Sequence, residues 1–151
     1  MTEIAINKRA KFDYEILDTC TAGIELTGHE VKSLKKRGVS LSGAHVIIRK
    51  GEAFMLGIEI SSFQPGNEPE TFDPGRTRRL LLKKSEISYL FGKTQSGLTI
   101  VPIKLYDNVR GKIKVDIAIV RGRKKHDKRE LIKKRTAERE MRGHMRRKNK
   151  R

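Results

Sequence analysis

The sequence predicts a mainly β fold: a closed antiparallel barrel of about six strands, with short inserted helices and a basic C-terminal tail. Two patterns predict the barrel. Apolar and polar side chains alternate in several short segments, and glycine or proline residues separate those segments. In an open sheet, six short strands would leave two edges unpaired, so we expect the sheet to close on itself. Among small barrels, an OB-fold is the leading choice.

The third observation is an abrupt change of charge near residue 121. Residues 1–120 contain 19 Lys or Arg and 14 Asp or Glu, whereas residues 121–151 contain 16 and 4. The end of the chain therefore carries most of the net charge of +17, which indicates a nucleic-acid or anionic-membrane partner. We expect a barrel at residues 1–121 and a tail at residues 122–151 that is disordered when free and helical when bound.

The first part of the barrel is predicted to contain a basic arm and a strand. Residues 4–11 include four closely spaced polar or basic side chains and are expected to form the arm. From Phe12 the alternation of apolar and polar residues predicts a half-buried strand. This strand should break at Ala22-Gly23 and resume at Ile24.

A capping box predicts where the first helix begins. Thr27 can accept a hydrogen bond from the backbone, and Glu30, three residues later, can reach back to the cap. The helix should run through Leu34 and end at Gly38. Glu30 therefore has a structural role as a cap, beside any functional one.

Apolar runs and the glycine and proline residues between them divide the middle of the chain into elements. Residues 44–60 should form a hairpin, residues 61–79 a long loop rich in proline and glycine, and residues 80–82 a short buried strand. A second helix should begin at Lys83, turn Phe91 inward and end at Gly92.

Two further strands complete the predicted barrel. Pro102 limits the strand at residues 98–106 to an edge or a bulge, because proline cannot donate to the ladder. The strand at residues 112–120 shows the clearest alternation in the chain. Its inward side chains are Ile113, Val115, Ile117 and Ile119.

The chain shows none of the residue patterns that mark common enzymes. It has no glycine-rich phosphate-binding loop, none of its four histidines sits beside a second ligand at metal spacing, and no spacing pairs a nucleophile with a base. We therefore expect no enzymatic activity, no cofactor and no metal site. The single Cys20 excludes an internal disulfide and is typical of a reducing cytosol, so we expect a cytoplasmic protein without a membrane span.

The junction between barrel and tail is a dense cationic cluster. Residues 122–130 read G-R-K-K-H-D-K-R-E and place five cations around His126. An isolated run of this kind is often only a solvated domain end. Here the charge of the whole tail favours neutralisation by a polyanion.

Five motifs in series carry a family resemblance. They are Glu30-Val31-Lys32-Ser33-Leu34, Arg76-x-Arg78-Arg79-Leu80-Leu81-Leu82, Glu86-Ile87, Pro102-Ile103-x-Leu105-Tyr106 and residues 122–130. These motifs resemble those of the SmpB family, the SsrA-binding proteins of bacterial trans-translation. Their order and spacing agree over nearly the whole chain, which makes the resemblance specific.

The resemblance implies a function and partners. It implies a monomeric RNA-binding adaptor whose OB-fold binds the tRNA-like domain of tmRNA and delivers it to stalled ribosomes for tagging and release. It also implies a tail that becomes helical on the ribosome and occupies the empty mRNA channel near the decoding centre, against small-subunit rRNA. A ribosomal or other translation-associated OB-fold protein that binds rRNA is the alternative, and an RNA-processing enzyme on a barrel is a third hypothesis.

The resemblance also assigns residues to two surfaces. The set expected to bind tmRNA comprises Glu30, Lys32, Ser33, Arg78, Leu81, Lys83 and Lys124. The set expected to bind the ribosome comprises Arg123, His126, Asp127, Lys128, Arg129, Met141 and Met145. In this assignment His126 stacks on a base of the decoding centre, and the two methionines anchor the tail helix.

Overall fold

The computed structural model describes residues 2–123 and 125–149, and it places their side chains except at 125–128 and 144–149. Seven strands and four helices are described. In chain order they are β1 (Thr2–Ile6), α1 (Ala10–Asp13), β2 (Tyr14–Ile24), α2 (Gly28–Arg37), β3 (His45–Arg49), β4 (Glu52–Leu56), β5 (Arg78–Leu81), α3 (Lys84–Gln95), β6 (Thr99–Asp107), β7 (Ile113–Gly122) and α4 (Lys125–Asn149).

The strands form one antiparallel sheet that closes into a barrel. Their order is β1-β6-β3-β4-β5-β2-β7, and β6 also pairs with β7, so six strands form a ring. The narrowest seam of the ring is the single pair Val46 and Ile100, which joins β3 to β6. The predicted closed barrel of about six strands, an OB-fold with inserted helices, is confirmed.

The seventh strand, β1, lies outside the ring in the segment predicted as an arm. It pairs with β6 from Thr2 opposite Asp107 to Ile6 opposite Lys104. Ile4 and Ala5 are half-buried against the core, which explains why these residues form a strand. The pairing partner lies about a hundred residues along the chain, so local patterning could not identify it.

The core fills the barrel with aliphatic side chains from every strand of the ring. Val115 and Ile117 of β7 and Met55 of β4 are essentially inaccessible, as the alternation predicted for β7. The predicted break at Ala22-Gly23 is wrong, because β2 continues to Ile24. Gly23 pairs with Leu81 on one side and Lys114 on the other, so both of its neighbours hold it in the strand.

The predicted capping box of α2 is confirmed. The Oγ1 atom of Thr27 accepts a hydrogen bond from the Glu30 N–H at 3.2 Å, and the Thr27 N–H donates to Oε1 of Glu30 at 2.9 Å. The helix ends at Gly38, whose φ of 70° lies in the region that favours glycine. The cap fixes the direction in which α2 enters the protein.

Two predicted element ends differ from the structure. The second hairpin strand ends at Leu56 because Gly57 takes a φ of 83° against the backbone of Gly43, so Ile58 and Ile60 are buried outside the strand. Helix α3 continues through Gly92 to Gln95, and Gly97, with a φ of 87°, follows its C-cap. A single glycine does not end a helix whose neighbours can continue it.

The apolar face of α3 also differs from the prediction. Leu90 is buried in the core, whereas Phe91 is 47% exposed and does not face inward. Lys83 precedes the helix without a side-chain cap, because an ammonium group has no acceptor. Instead, the Lys83 N–H donates to the Glu86 carboxylate at 3.0 Å. Pro102, as predicted, lies at a β-bulge, where the register shifts before Lys104.

The basic tail forms helix α4. Leu131 is half-buried, whereas the side chains at 133–142 are exposed, so up to residue 142 the helix lies against the barrel only in its first turns. Arg123, one residue after β7, donates its backbone N–H to the carbonyl oxygen of Asp13 in α1. The boundary at residue 121 stays a prediction. The expectation that the free tail is disordered stays a prediction.

Candidate nucleic-acid interface

Three of the side chains expected to contact tmRNA are buried. Glu30 is 2% exposed, and Ser33 and Arg78 are 0% exposed. These three side chains therefore expose almost no surface to a partner in this structure, and their direct contact with RNA stays a prediction. Their geometry gives them a different task, which is to hold α2 against the loop and the strand that follow it.

Glu30 lies at the centre of the buried cluster. Its Oε2 atom accepts hydrogen bonds from Nη2 and Nε of Arg78 at 2.6 and 2.9 Å, and its Oε1 atom accepts from Nη2 of Arg76 at 2.5 Å. The same Oε1 atom caps Thr27. Both carboxylate oxygens of Glu30 thus accept hydrogen bonds from groups within the protein.

The two arginines link Glu30 to the backbone around it. Arg78 donates to the carbonyl oxygens of Ile58 at 3.1 Å and Pro74 at 3.0 Å, and Arg76 donates to that of Glu25 at 3.3 Å. A guanidinium can serve several acceptors at once because its donors point in fixed directions. The cluster therefore fixes α2, the residues after β4 and the start of β5 relative to one another.

The charge state of Glu30 follows from this geometry. Burial alone would raise the pKa of its carboxyl group, but hydrogen bonds from Arg76, the Thr27 N–H and Arg78 outweigh burial. The net result is a pKa below the ordinary glutamate value. The group is therefore an anion at neutral pH, and its charge is balanced inside the protein.

A second set of contacts ties the long loop to α2. Ser33 donates to the carbonyl oxygen of Ser61 at 2.6 Å, and the Phe63 N–H donates to Nε2 of His29 at 3.0 Å. The His29 ring also packs edge-on against Phe72, with centroids 5.0 Å apart. The loop between β4 and β5 is therefore folded onto the buried side of α2, which leaves the other side of the helix open.

The exposed candidates of the tmRNA set are Leu81, Lys32 and Lys83. The triplet of leucines was predicted to be buried, but the strand alternates, and Leu81 is 48% exposed beside the buried Leu80. Leu81 lies between two shallow grooves. One is lined by Leu26, Val31, Lys112 and Lys114, and the other by Glu52, Arg79, Lys83 and Ile87. Lys32 is exposed on α2, one residue after Val31.

This surface, which we call the Leu81 face, combines an apolar centre with surrounding cations. It consists of Leu81, Lys83, Lys112 and Lys114. The sequence-based set missed Lys112 and Lys114, although the alternation of β7 indicates that both point outward. An apolar patch among lysines can contact a base while the ammonium groups neutralise phosphates.

The candidates for ribosome binding lie at the other end of the barrel. Arg129 is exposed on the first turns of α4, and Met141 is 66% exposed further along it. Arg123 is half-buried and bonded to the backbone of α1 and β2. Lys124 and the side chains of His126, Asp127, Lys128 and Met145 lie outside the described part of the chain.

Strand β2 separates the two candidate surfaces. Its first residue, Tyr14, pairs with Gly122 at the exit of the tail, and its tenth, Gly23, pairs with Leu81. Nine residues at roughly 3.3 Å each put these ends about 30 Å apart. Contacts at the Leu81 face and at the tail can therefore be made to different molecules, or to distant parts of one.

The described residues offer no site for catalysis by a metal. No group of three or more His, Cys, Asp and Glu side chains in that part of the chain could hold an ion. Cys20 is half-buried, and burial raises the pKa of its thiol, which disfavours the nucleophilic thiolate. No helix among the described residues is long and apolar enough to cross a membrane.

Comparison with known proteins agrees with this geometry. The family model described as SmpB protein matches residues 4–147. An SsrA-binding protein of Thermosipho africanus is 48% identical over 97% of this chain and 99% of its own. Another, from Thermosipho melanesiensis, is 49% identical over 96% and 99%.

A solved structure gives the same result in three dimensions. It is described as "tmRNA-SmpB: a journey to the center of the bacterial ribosome". One of its chains aligns with a TM-score of 0.67 and 41% identity, over 84% of this chain and 92% of that one. By fold, by motif and by similarity over nearly its whole length, the chain belongs to the SmpB family.

Proposed function

We propose that this chain is an RNA-binding adaptor of trans-translation, which binds the tRNA-like domain of tmRNA and brings it to stalled ribosomes. The observation that carries the proposal is the similarity over nearly the full length to SsrA-binding proteins and to a chain from a tmRNA–SmpB structure. A ribosomal or other translation-associated OB-fold protein that binds rRNA is not favoured, because the matching family is SmpB.

The Leu81 face is the proposed contact for the tRNA-like domain. RNA is recognised mainly at unpaired loops, where splayed bases meet flat or apolar side chains and cations contact the phosphates. Leu81 offers exposed apolar surface, and Lys83, Lys112 and Lys114 line the grooves beside it. No catalytic step is assigned to the chain.

In this proposal, three buried side chains hold in place the elements that carry the Leu81 face: those of Glu30, Ser33 and Arg78. The buried cluster fixes α2, which carries Lys32, and β5, which carries Leu81. Loss of the cluster would therefore disturb recognition without removing any atom that touches RNA. This is a positioning role, distinct from the direct contact that the sequence had indicated.

The tail is the proposed contact for the ribosome. In this proposal it runs as a helix into the empty mRNA channel, in the cytoplasm where ribosomes work, with one copy of the chain for each tmRNA. Its cations match a channel lined with rRNA phosphates, and Met141 supplies an exposed apolar anchor. Lys124, His126, Asp127, Lys128 and Met145 keep the roles that the family resemblance implies.

A reconstituted rescue assay tests the proposal. Ribosomes stalled on an mRNA without a stop codon are incubated with aminoacylated tmRNA, with or without the purified protein, and addition of the tmRNA-encoded tag is measured. We expect tagging only with the protein, and stable association with ribosomes only when they are stalled. Equal, stoichiometric association with all ribosomes and no effect on tagging would support an rRNA-binding ribosomal protein instead.

A further inference from the structure

Hydrogen bonds from Arg123 connect the junction between barrel and tail to α1 and the start of β2. The Arg123 N–H donates to the carbonyl oxygen of Asp13 at 3.0 Å. The Nε atom of the same residue lies 3.2 Å from the carbonyl oxygens of both Lys11 and Tyr14, between which its hydrogen is shared. Three carbonyl groups from one short stretch of backbone thus converge on Arg123.

The chemistry of these acceptors explains why an arginine suits the position. Lys11 and Asp13 lie in the single turn of α1, where carbonyl oxygens lack partners within the helix, and Tyr14 begins β2. A guanidinium offers donors in a fixed plane, whereas an ammonium is a compact charge on a flexible stem. Arg123 is half-buried here, so its head is engaged by protein and is not turned freely to solvent.

A small change in the direction of the tail at Arg123 would displace the far end of helix α4 by several ångströms. Helix α4 begins two residues after Arg123 and contains 25 residues, which at roughly 1.5 Å each is about 37 Å. A change of ~10° in its starting direction would move its far end by about 6 Å, given that length. Beyond Leu131 the described side chains up to residue 142 are exposed, so few contacts could correct such an error.

We propose that Arg123 is a positioning residue that fixes the direction in which the tail leaves the barrel, and that it does not itself contact RNA. This inference rests on the proposed function, in which the tail enters the ribosome while the barrel holds tmRNA. It corrects the assignment of Arg123 to the ribosome-binding set. Arg123 clamps the tail onto the turn between α1 and β2.

The test compares Arg123→Lys with Arg121→Lys. Both substitutions keep the charge and remove a guanidinium group. Arg121 is a suitable control because its side chain is 62% exposed and its Nε atom lies as far as 4.0 Å from the carboxylate of Glu15, its one described ion-pair partner. In the full-length protein with Cys20→Ser, spin labels are attached at Ser88→Cys on α3 and Lys133→Cys on α4. Both labelled positions are exposed. Pulsed electron spin resonance then gives the distribution of distances between barrel and tail.

We expect a narrow distribution for the parent protein and for Arg121→Lys, and a clearly broader one for Arg123→Lys. This departs from the expectation of a tail that is disordered when free, because the clamp fixes the start of the tail before any RNA binds. A broad distribution in the parent protein, or no change in Arg123→Lys, would overturn the clamp. Because no RNA is present, this result is independent of the proposed function. Thermal unfolding of each variant shows that the barrel itself is intact.

Measurements of tagging and of tmRNA affinity distinguish a positioning role of Arg123 from a direct contact with tmRNA. For Arg123→Lys we expect tagging on stalled ribosomes to slow by about tenfold, as small misplacements of a reacting group often do. Affinity for the tRNA-like domain should not change. If Arg123→Gln instead lowers tmRNA affinity together with its salt dependence, Arg123 contacts phosphate and the inference is wrong. If the parent protein has no affinity for tmRNA, the proposed function fails, whatever the distances show.

Discussion

Glu30 and Arg78 form a buried ion pair in which one carboxylate oxygen accepts two hydrogen bonds from one guanidinium, at 2.6 and 2.9 Å. Glu30 is 2% exposed and Arg78 is 0% exposed. The pair connects α2 to β5, the two elements that carry Lys32 and Leu81. In the proposed function, recognition at the surface is thereby linked to a salt bridge that is buried inside the protein.

Glu30→Ala should reduce both stability and tmRNA binding. Removing one partner leaves two buried or half-buried guanidinium groups without their anion, which typically lowers the free energy of unfolding by about 3–5 kcal/mol. Binding should weaken even though the variant is more cationic, because α2 and β5 lose their common anchor. Denaturant unfolding and titration with the tRNA-like domain measure the two effects.

Glu59→Ala is the matched control, since it changes the net charge equally at an exposed position. It should affect neither stability nor specific binding by more than a small amount. A folded Glu30→Ala protein that binds tmRNA as tightly as the parent would show that Glu30 serves stability alone.

The pH dependence of stability should carry the signature of Glu30. Its pKa is lower in the folded protein than in the unfolded chain, so the ionised group stabilises the fold above the unfolded pKa of about 4.3. This contribution should disappear as the pH falls through the lower, folded pKa. Urea unfolding of the parent protein and of Glu30→Gln, between pH 7 and 3, measures it.

The parent protein should lose more stability than Glu30→Gln over that acidic range, and the two curves should converge at the lowest pH. Glu59→Gln serves as the control and should follow the parent curve. Parallel curves for the parent and Glu30→Gln would contradict a lowered pKa at Glu30.

Leu81→Ala should weaken binding to the tRNA-like domain and leave the stability of the protein almost unchanged. Because Leu81 is 48% exposed, its truncation should change the free energy of unfolding by only about 0.5 kcal/mol, as is usual at surfaces. We expect affinity for the tRNA-like domain to fall by about tenfold, equivalent to about 1.4 kcal/mol. Leu17→Ala, at a leucine that is 40% exposed, is the control and should bind normally.

An unchanged affinity for Leu81→Ala would mean that the RNA does not use the Leu81 face. Gly23→Ala gives a second test of the same face, because a Cβ there would lie 3.2 Å from the Cβ of Leu81 and would displace it.

The elements that were predicted correctly are those whose causes are local. The capping box of α2 needs only Thr27 and Glu30, and the alternation of β7 needs only its own residues. The exposure of Leu81 was missed because three consecutive leucines predict burial, whereas alternation in β5 turns the middle one outward.

The buried cluster could not be predicted because its causes are distant in sequence. Because arginine side chains are rarely buried, the sequence predicts an exposed position for Arg78. Its partner, Glu30, lies 48 residues earlier in the chain. The same holds for Arg123, whose acceptors are more than a hundred residues away.

His126→Ala should spare tmRNA binding and impair tagging. The prediction rests on the family resemblance, in which His126 stacks on a base of the decoding centre. Binding to the tRNA-like domain and tagging on stalled ribosomes are measured side by side, with His45→Ala, an exposed barrel histidine, as the control. Equal loss of both activities would contradict a tail that acts only on the ribosome.

The most direct measurement is binding of the tRNA-like domain of tmRNA to the full-length protein and to a truncation after Lys124, which keeps β7, its contact with α1 and the tmRNA candidate Lys124. Titrations at several salt concentrations, with an elongator tRNA as competitor, give affinity, specificity and salt dependence. If recognition lies on the barrel, the truncated protein should still prefer the tmRNA domain with similar affinity. If instead the truncation abolishes the preference, and with it a log–log salt slope of about 0.7 to 0.9 for each lost phosphate contact, the tail is what binds tmRNA and the assignment of the Leu81 face is wrong.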